Sequence, residues 1–142
     1  MGVAAKCLRT EMDERNTRYE YLRQRFLNKL NDMEPDAIIN GTLESRLPNN
    51  LSVGFPGVDS GSMLLSLDQI GVYVSAGSAC SAGDDHVSHV LEAIGVDSDH
   101  YGTLRFSFCH DTTKEDIDYL FEHLPKILDH LQSEESGERK SA

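Results

Sequence analysis

Leu8, Met12, Tyr19, Leu22, Phe26, Leu30 and Met33 recur at steps of three, four and seven, with Arg, Glu and Asp between them. An apolar stripe of that period is one face of an amphipathic helix, so the stretch from about Gly2 to Met33 reads as a single long helix. Pro35 ends it, since proline has no N–H to donate and its ring clashes with the preceding turn. One stripe on so long a helix reads as a piece that spans or braces a larger body.

After Pro35 the period changes. Ala37-Ile38-Ile39 reads as a short strand stopped by Asn40-Gly41. In Leu51-Ser52-Val53-Gly54-Phe55 the large apolar residues alternate with small ones, the mark of a strand with one buried face. Pro56-Gly57 makes a turn, and Asp59 or Ser60 can cap a short helix through Met63, Leu64, Leu65 and Leu67. Gly71 to Ser75 reads as a third strand, and Thr103 to Phe108 as a fourth. Between them Ser88 can cap a short helix from His89 to Ile94 closed by Gly95. Thr112 and Glu115 stand in capping-box register before a helix whose core face is Ile117, Leu120, Phe121, Leu124, Ile127, Leu128 and Leu131. Pro125 lies within it and is expected to kink it. The pattern predicts an α+β fold: a small sheet of three or four strands packed by helices, in one domain over residues 1–132. The connecting helix takes about residues 1–34 of it, and residues 133–142, which carry no period, read as a disordered tail.

Composition narrows the partners. The 142 residues suit one core, and 39% hydrophobic with 26% charged residues is an ordinary globular balance. A net charge of -11 argues against binding nucleic acid, which needs clustered Lys and Arg. No apolar run approaches the length of a membrane span and no leader opens the chain, so a cytoplasmic protein is expected. Cys7, Cys80 and Cys109 are odd in number and far apart, which favours free thiols over a disulfide framework.

Two residues stand out for chemistry. Cys80 sits in Val74-Ser75-Ala76-Gly77-Ser78-Ala79-Cys80-Ser81-Ala82-Gly83, where everything after Val74 is small. A buried structural cysteine packs among large apolar side chains, so Cys80 reads instead as a reactive thiol on a mobile loop. His86 and His89 are its nearest basic neighbours and would raise the thiolate fraction if the loop folds back. Arg105 alternates with Leu104 and Phe106 and so points to the opposite face of its strand. It suits either a bidentate grip on a carboxylate or an edge-strand charge that discourages aggregation. Cys80, His86 and His89 offer three ligands without a Cys-x-x-Cys partner, so no metal site is expected. Cys109-His110-Asp111 reads as a strand-to-helix turn whose adjacent side chains point different ways, and Cys7 as packing on the long helix.

Five blocks, taken together, resemble a known family. They are Leu47-Pro48-Asn49-Asn50-Leu51-Ser52-Val53-Gly54-Phe55, Ser75-Ala76-Gly77-Ser78-Ala79-Cys80-Ser81, Ser88-His89-Val90-Leu91-Glu92-Ala93-Ile94-Gly95, Leu104-Arg105-Phe106-Ser107 and Thr112-Thr113-Lys114-Glu115-Asp116-Ile117-Asp118. In this order and spacing the chain is similar to the C-terminal small domain of a NifS/IscS-type cysteine desulfurase of the class V aminotransferase group. It departs from the family pattern at Val87, where a Pro is common, and at His110, where a second Arg is common.

The resemblance implies a pyridoxal-phosphate-dependent enzyme that takes sulfur from L-cysteine as a persulfide and releases alanine. Cys80 matches the sulfur-accepting thiol and Arg105 the arginine that holds the substrate carboxylate. The cofactor-bearing lysine of the family lies in a large domain, and no cofactor-binding residue is matched here. The chain is therefore expected to be inactive alone and to need that domain in cis or in trans. Further implied partners are an iron–sulfur scaffold or another sulfur acceptor protein, and a second copy in a homodimer of the complete enzyme. The alternatives are a stand-alone sulfur carrier or interaction module, or an inert truncated product.

Overall fold

The computed structural model describes residues 2–34, 36–77, 88–97 and 100–138. Cys80, His86, Pro35 and residues 139–142 therefore lie outside the described residues, as does the side chain of Cys7. The elements are α1 (Gly2–Met33), β1 (Ile38–Ile39), β2 (Asn50–Pro56), α2 (Ser60–Gln69), α3 (His89–Ala93), β3 (Tyr101–Ser107) and α4 (Lys114–Glu138). The expected α+β class holds.

β2 is the middle strand, antiparallel to β1 on one side and to β3 on the other. Its register sets the two faces of the sheet. Leu51 pairs with Phe106 and Val53 with Leu104, all four buried, while Ser52 pairs with Arg105 and Asn50 with Ser107. One face is apolar and the other polar, as the alternation in sequence requires. The apolar face packs on Leu22, Phe26 and Leu30 of α1, Met63 and Leu67 of α2, and Ile117, Leu120, Leu124 and Leu128 of α4. Phe26 is at the centre of this core, its ring centroid 4.8 Å from that of Phe106 and 4.9 Å from that of Phe121. At Gly102 the backbone of β3 passes so close to the turn after β2 that an added Cβ would lie 2.3 Å from the Val58 carbonyl oxygen. Only glycine fits there.

Several details differ from expectation. The segment Gly71–Ser75 forms no strand, because it meets the outer edge of β3 only through a bridge between Ser75 and Arg105. The capping box of α4 lies one residue later than read. Thr113 Oγ1 accepts from Asp116 N–H at 3.2 Å, and Asp116 Oδ2 accepts from Thr113 N–H at 2.8 Å. Thr112 turns back instead, its hydroxyl accepting from Cys109 N–H at 2.9 Å. Ser88 occupies the N-cap position of α3 without a side-chain capping bond, whereas Asp59 caps α2 by accepting from Ser62 N–H. The disordered tail expected at 133–142 is corrected over Ser133–Glu138, which continue α4. Once a helix is nucleated, each further residue adds a hydrogen bond at small entropic cost, and Glu134, Glu135 and Glu138 are good helix formers even without an apolar period.

α1 is fastened to α4 by charge as well as by packing. Arg25 Nη2 donates to Asp118 Oδ2 at 2.6 Å, and Lys29 Nζ lies 2.9 Å from Asp118 Oδ1. The Arg25 bonds, then those of Lys29, hold the Asp118 carboxyl below its ordinary range. A carboxylate with a lowered folded pKa adds stability above its unfolded value, and that contribution is lost as pH falls through the folded value. Asp118→Asn should therefore lower the urea midpoint at neutral pH, and the gap to the parent should close on acidification below the ordinary aspartate range. A gap that is constant with pH would assign the loss to packing rather than charge.

Candidate functional site

Arg105 is exposed on the polar face of the sheet, as its alternation predicted. Its backbone joins the segment that leads to Cys80: Arg105 N–H donates to Ser75 O at 2.7 Å and Ser75 N–H to Arg105 O at 3.2 Å. The side chain follows the same path. Nη1 donates to Gly77 O at 3.2 Å and Nη2 to Ser75 Oγ at 3.2 Å. No carboxylate pairs with Arg105 among the described residues.

The guanidinium lines a pocket of about 520 Å³ between the polar face of the sheet and α3. Arg46 and His89 add further basic groups, Asn40, Asn50, Ser52 and Thr103 add neutral polar ones, and Val90, Leu91 and Ile94 form an apolar wall. Among the described residues no Asp or Glu lines it, although the chain as a whole carries -11. The local sign of charge is thus opposite to the global one, which favours an anion. Gly77 and Ser88, which flank residues 78–87, both line this pocket.

The floor is built by a tight turn. Asn40 is 4% exposed and its Nδ2 donates to Ser52 Oγ at 3.1 Å and to Thr103 Oγ1 at 3.4 Å. Gly41 at φ +79 turns the chain so that Arg46 Nη2 can donate to Asn40 O. Arg46 Nη1 and Asn40 Oδ1 are buried without partners among the described residues. Burial, and then the like charge of Arg23, hold the Arg46 guanidinium below its ordinary value. A partly desolvated cation without a counter-charge raises the affinity of the pocket for a carboxylate.

Sequence reasoning singled out Arg105 and missed Asn40 and Arg46. Asn40-Gly41 read only as the stop of a strand, and nothing in the local period says that Arg46 folds back onto that turn. Cys80 and His86 lie outside the described residues, and His89, exposed on α3, is one of the residues that line the pocket. Cys109, His110 and Asp111 were expected to diverge. The turn in which Thr112 N–H donates to Cys109 O instead brings their donor atoms within 4.8 Å of one another. The Thr112 hydroxyl, then the Asp111 backbone N–H, hold the Cys109 thiol below its ordinary pKa by hydrogen bonding to sulfur.

Pyridoxal phosphate, implied by the resemblance, requires a lysine for its covalent attachment. Among the described residues no lysine lines the Arg105 pocket; Lys29 is paired with Asp118 and Lys114 with Glu115. The described residues do not fit that cofactor as its holder.

Comparison with known proteins agrees with the fold. The chain is 40% identical over 134 residues to "Cysteine desulfurase IscS" of Dictyoglomus turgidum, covering 94% of this chain and 34% of that protein. It is 37% identical over 133 residues to "Cysteine desulfurase" of Gluconacetobacter diazotrophicus, covering 93% and 33%. Among solved structures it resembles a "NIFS-LIKE PROTEIN" with a TM-score of 0.71 and 34% identity, over 86% of this chain and 30% of that one. The NifS-like protein from Rickettsia africae ESF-5 superposes with a TM-score of 0.77 at 26% identity, over 90% and 33%. The chain thus spans about a third of the length of the relatives it matches. The profile described as "Aminotransferase class-V" matches residues 1–120, and the chain belongs to that family.

Proposed function

We propose that this chain supplies the sulfur-accepting thiol and the carboxylate-binding arginine of a cysteine desulfurase. Arg105 holds the carboxylate of L-cysteine in the anion-favouring pocket. The Cys80 thiolate attacks the substrate sulfur, so that an S–S bond forms as the carbon–sulfur bond of the substrate breaks. The electron pair of that bond stays on the substrate carbon, which takes up a proton to become the methyl group of alanine, and the sulfur remains as a persulfide on Cys80. The pyridoxal phosphate is held by residues outside those described, in a domain of the same polypeptide or of another.

The observation that carries this reading is that Gly77 and Ser88 both line the pocket that Arg105 lines. Cys80 follows Gly77 by three residues, a reach of about 10 Å of extended chain. A chain of that reach is long enough to bring a thiol to a substrate gripped at Arg105, which supports the reading. The reading also implies delivery of the persulfide sulfur to an iron–sulfur scaffold or other acceptor protein, in the cytoplasm, by a homodimer. For its part, no helix among the described residues is long and apolar enough to cross a membrane.

The test is intact mass after incubation with L-cysteine and pyridoxal phosphate, with and without a pyridoxal-phosphate-binding large domain from a cysteine desulfurase. One added sulfur is expected only when that domain is present, and none in Cys80→Ser. An adduct that persists in Cys80→Ser would sink the assignment. An adduct formed from a small persulfide donor without the domain, and none from L-cysteine with it, would replace the enzyme reading with a sulfur carrier.

A further inference from the structure

The turn between β3 and α4 holds three different metal-ligand types in a row, away from the Arg105 pocket. Cys109, His110 and Asp111 each offer one donor atom, the three lie within 4.8 Å of one another, and all three residues are exposed. His110 Nε2 is 3.2 Å from Asp111 Oδ2. We propose that Cys109, His110 and Asp111 form a surface site for a zinc-class divalent cation, with water completing the coordination.

The geometry is close to what such an ion needs. Zinc bonds of about 2.0–2.3 Å at tetrahedral angles put neighbouring donor atoms roughly 3.3–3.7 Å apart. The histidine–aspartate separation is already of that size, and the sulfur needs a side-chain adjustment of about an ångström or less to join them. The backbone beneath is held in place. Thr112 N–H donates to Cys109 O at 3.2 Å, and Cys109 N–H donates to Thr112 Oγ1 at 2.9 Å, so both ends of the turn are tied. The adjoining capping box of Thr113 and Asp116 fixes where α4 begins.

Donor chemistry selects the ion. One thiolate, one imidazole and one carboxylate suit zinc or cobalt, whereas magnesium and calcium prefer oxygen donors throughout. Binding releases the thiol proton to solvent, and no electron is transferred. The net charge of -11 adds a general attraction for cations. His110 stands where the family resemblance led to an arginine, so this donor set is a property of this chain rather than of the desulfurase reading.

Cobalt(II) is the first probe, titrated into the full chain under reducing conditions and read by its thiolate-to-cobalt charge-transfer absorption in the near ultraviolet. Cys80→Ser serves as the background, so that no signal comes from that thiol. Saturable binding is expected, with zinc displacing cobalt. Loss of a group behind a metal ligand already costs about 10–100-fold in affinity, so Cys109→Ser, His110→Ala and Asp111→Asn should each weaken binding by at least about tenfold. Zinc should also slow alkylation of Cys109 by iodoacetamide, a readout independent of any enzyme activity. Circular dichroism checks that each variant remains folded, and exposure of all three side chains predicts that it does. Cobalt absorption that survives His110→Ala and Asp111→Asn would reduce the site to a single thiol and overturn the proposal. Absence of saturation, or absorption that vanishes when Cys80 is replaced, would do the same.

Discussion

Phe26→Ala should cost about 3–5 kcal/mol of stability, against a total of about 5–15 kcal/mol for a domain of this kind. The side chain is fully buried and packs against three other aromatic rings. Its ring lies 4.8 Å from Phe106, 6.2 Å from Phe108 and 4.9 Å from Phe121, so truncation opens a cavity where α1, the end of β3 and α4 meet. No single neighbour can collapse into that space without leaving another, and the partly unrelaxed cavity is what takes the cost toward the upper end of the range. Urea unfolding followed by circular dichroism gives the number, with Leu8→Ala as its control. Leu8 belongs to the same apolar stripe but is 52% exposed, and a change there should stay within about 0.5 kcal/mol. Equal losses in the two variants would mean that α1 does not pack through the face described.

The second large effect concerns Arg105. Under the proposed function, Arg105→Met in the assembled enzyme should raise KM for L-cysteine by roughly 10- to 150-fold. That is the equivalent of about 1.5–3 kcal/mol for hydrogen bonds to a charged group. Methionine keeps most of the length and apolar stem but removes every donor. Arg105→Lys should recover only part of the loss, because an ammonium cannot reproduce the planar two-pronged contact. Stability should change little, since the side chain is exposed and among the described residues bonds only to Gly77 O and Ser75 Oγ. An unchanged KM with kcat alone reduced would place the carboxylate elsewhere and leave Arg105 as a support for the segment before Cys80.

How far the sequence foretold these features depended on whether the deciding contact was local. The alternation around Arg105 is a property of a few neighbouring residues, and the strand exposes that side chain as read. The seven-residue stripe of α1 likewise announced a helix. It could not say that Leu22, Phe26 and Leu30 find a sheet while Leu8 and Met12 find none, because that depends on where the rest of the chain ends in space. Gly71–Ser75 has the composition of a strand, but a ladder needs a partner along its whole length and this segment meets β3 at one residue. Thr112 and Thr113 are interchangeable to a pattern. The structure separates them by giving one hydroxyl to Cys109 and the other to the helix start. Arg46 was invisible for the same reason, since its role comes from folding back on Asn40.

The two bonds from Arg105 to Ser75 and Gly77 have a thermodynamic consequence. The guanidinium that faces the pocket also holds the base of the chain that runs on to Cys80. An anion that draws Arg105 away from Gly77 must break one of those contacts, and an anion that leaves them intact inherits a cation already fixed in orientation. In either case anion affinity and the hold on Gly77 are two readings of one free energy, and each shifts the other by the same factor.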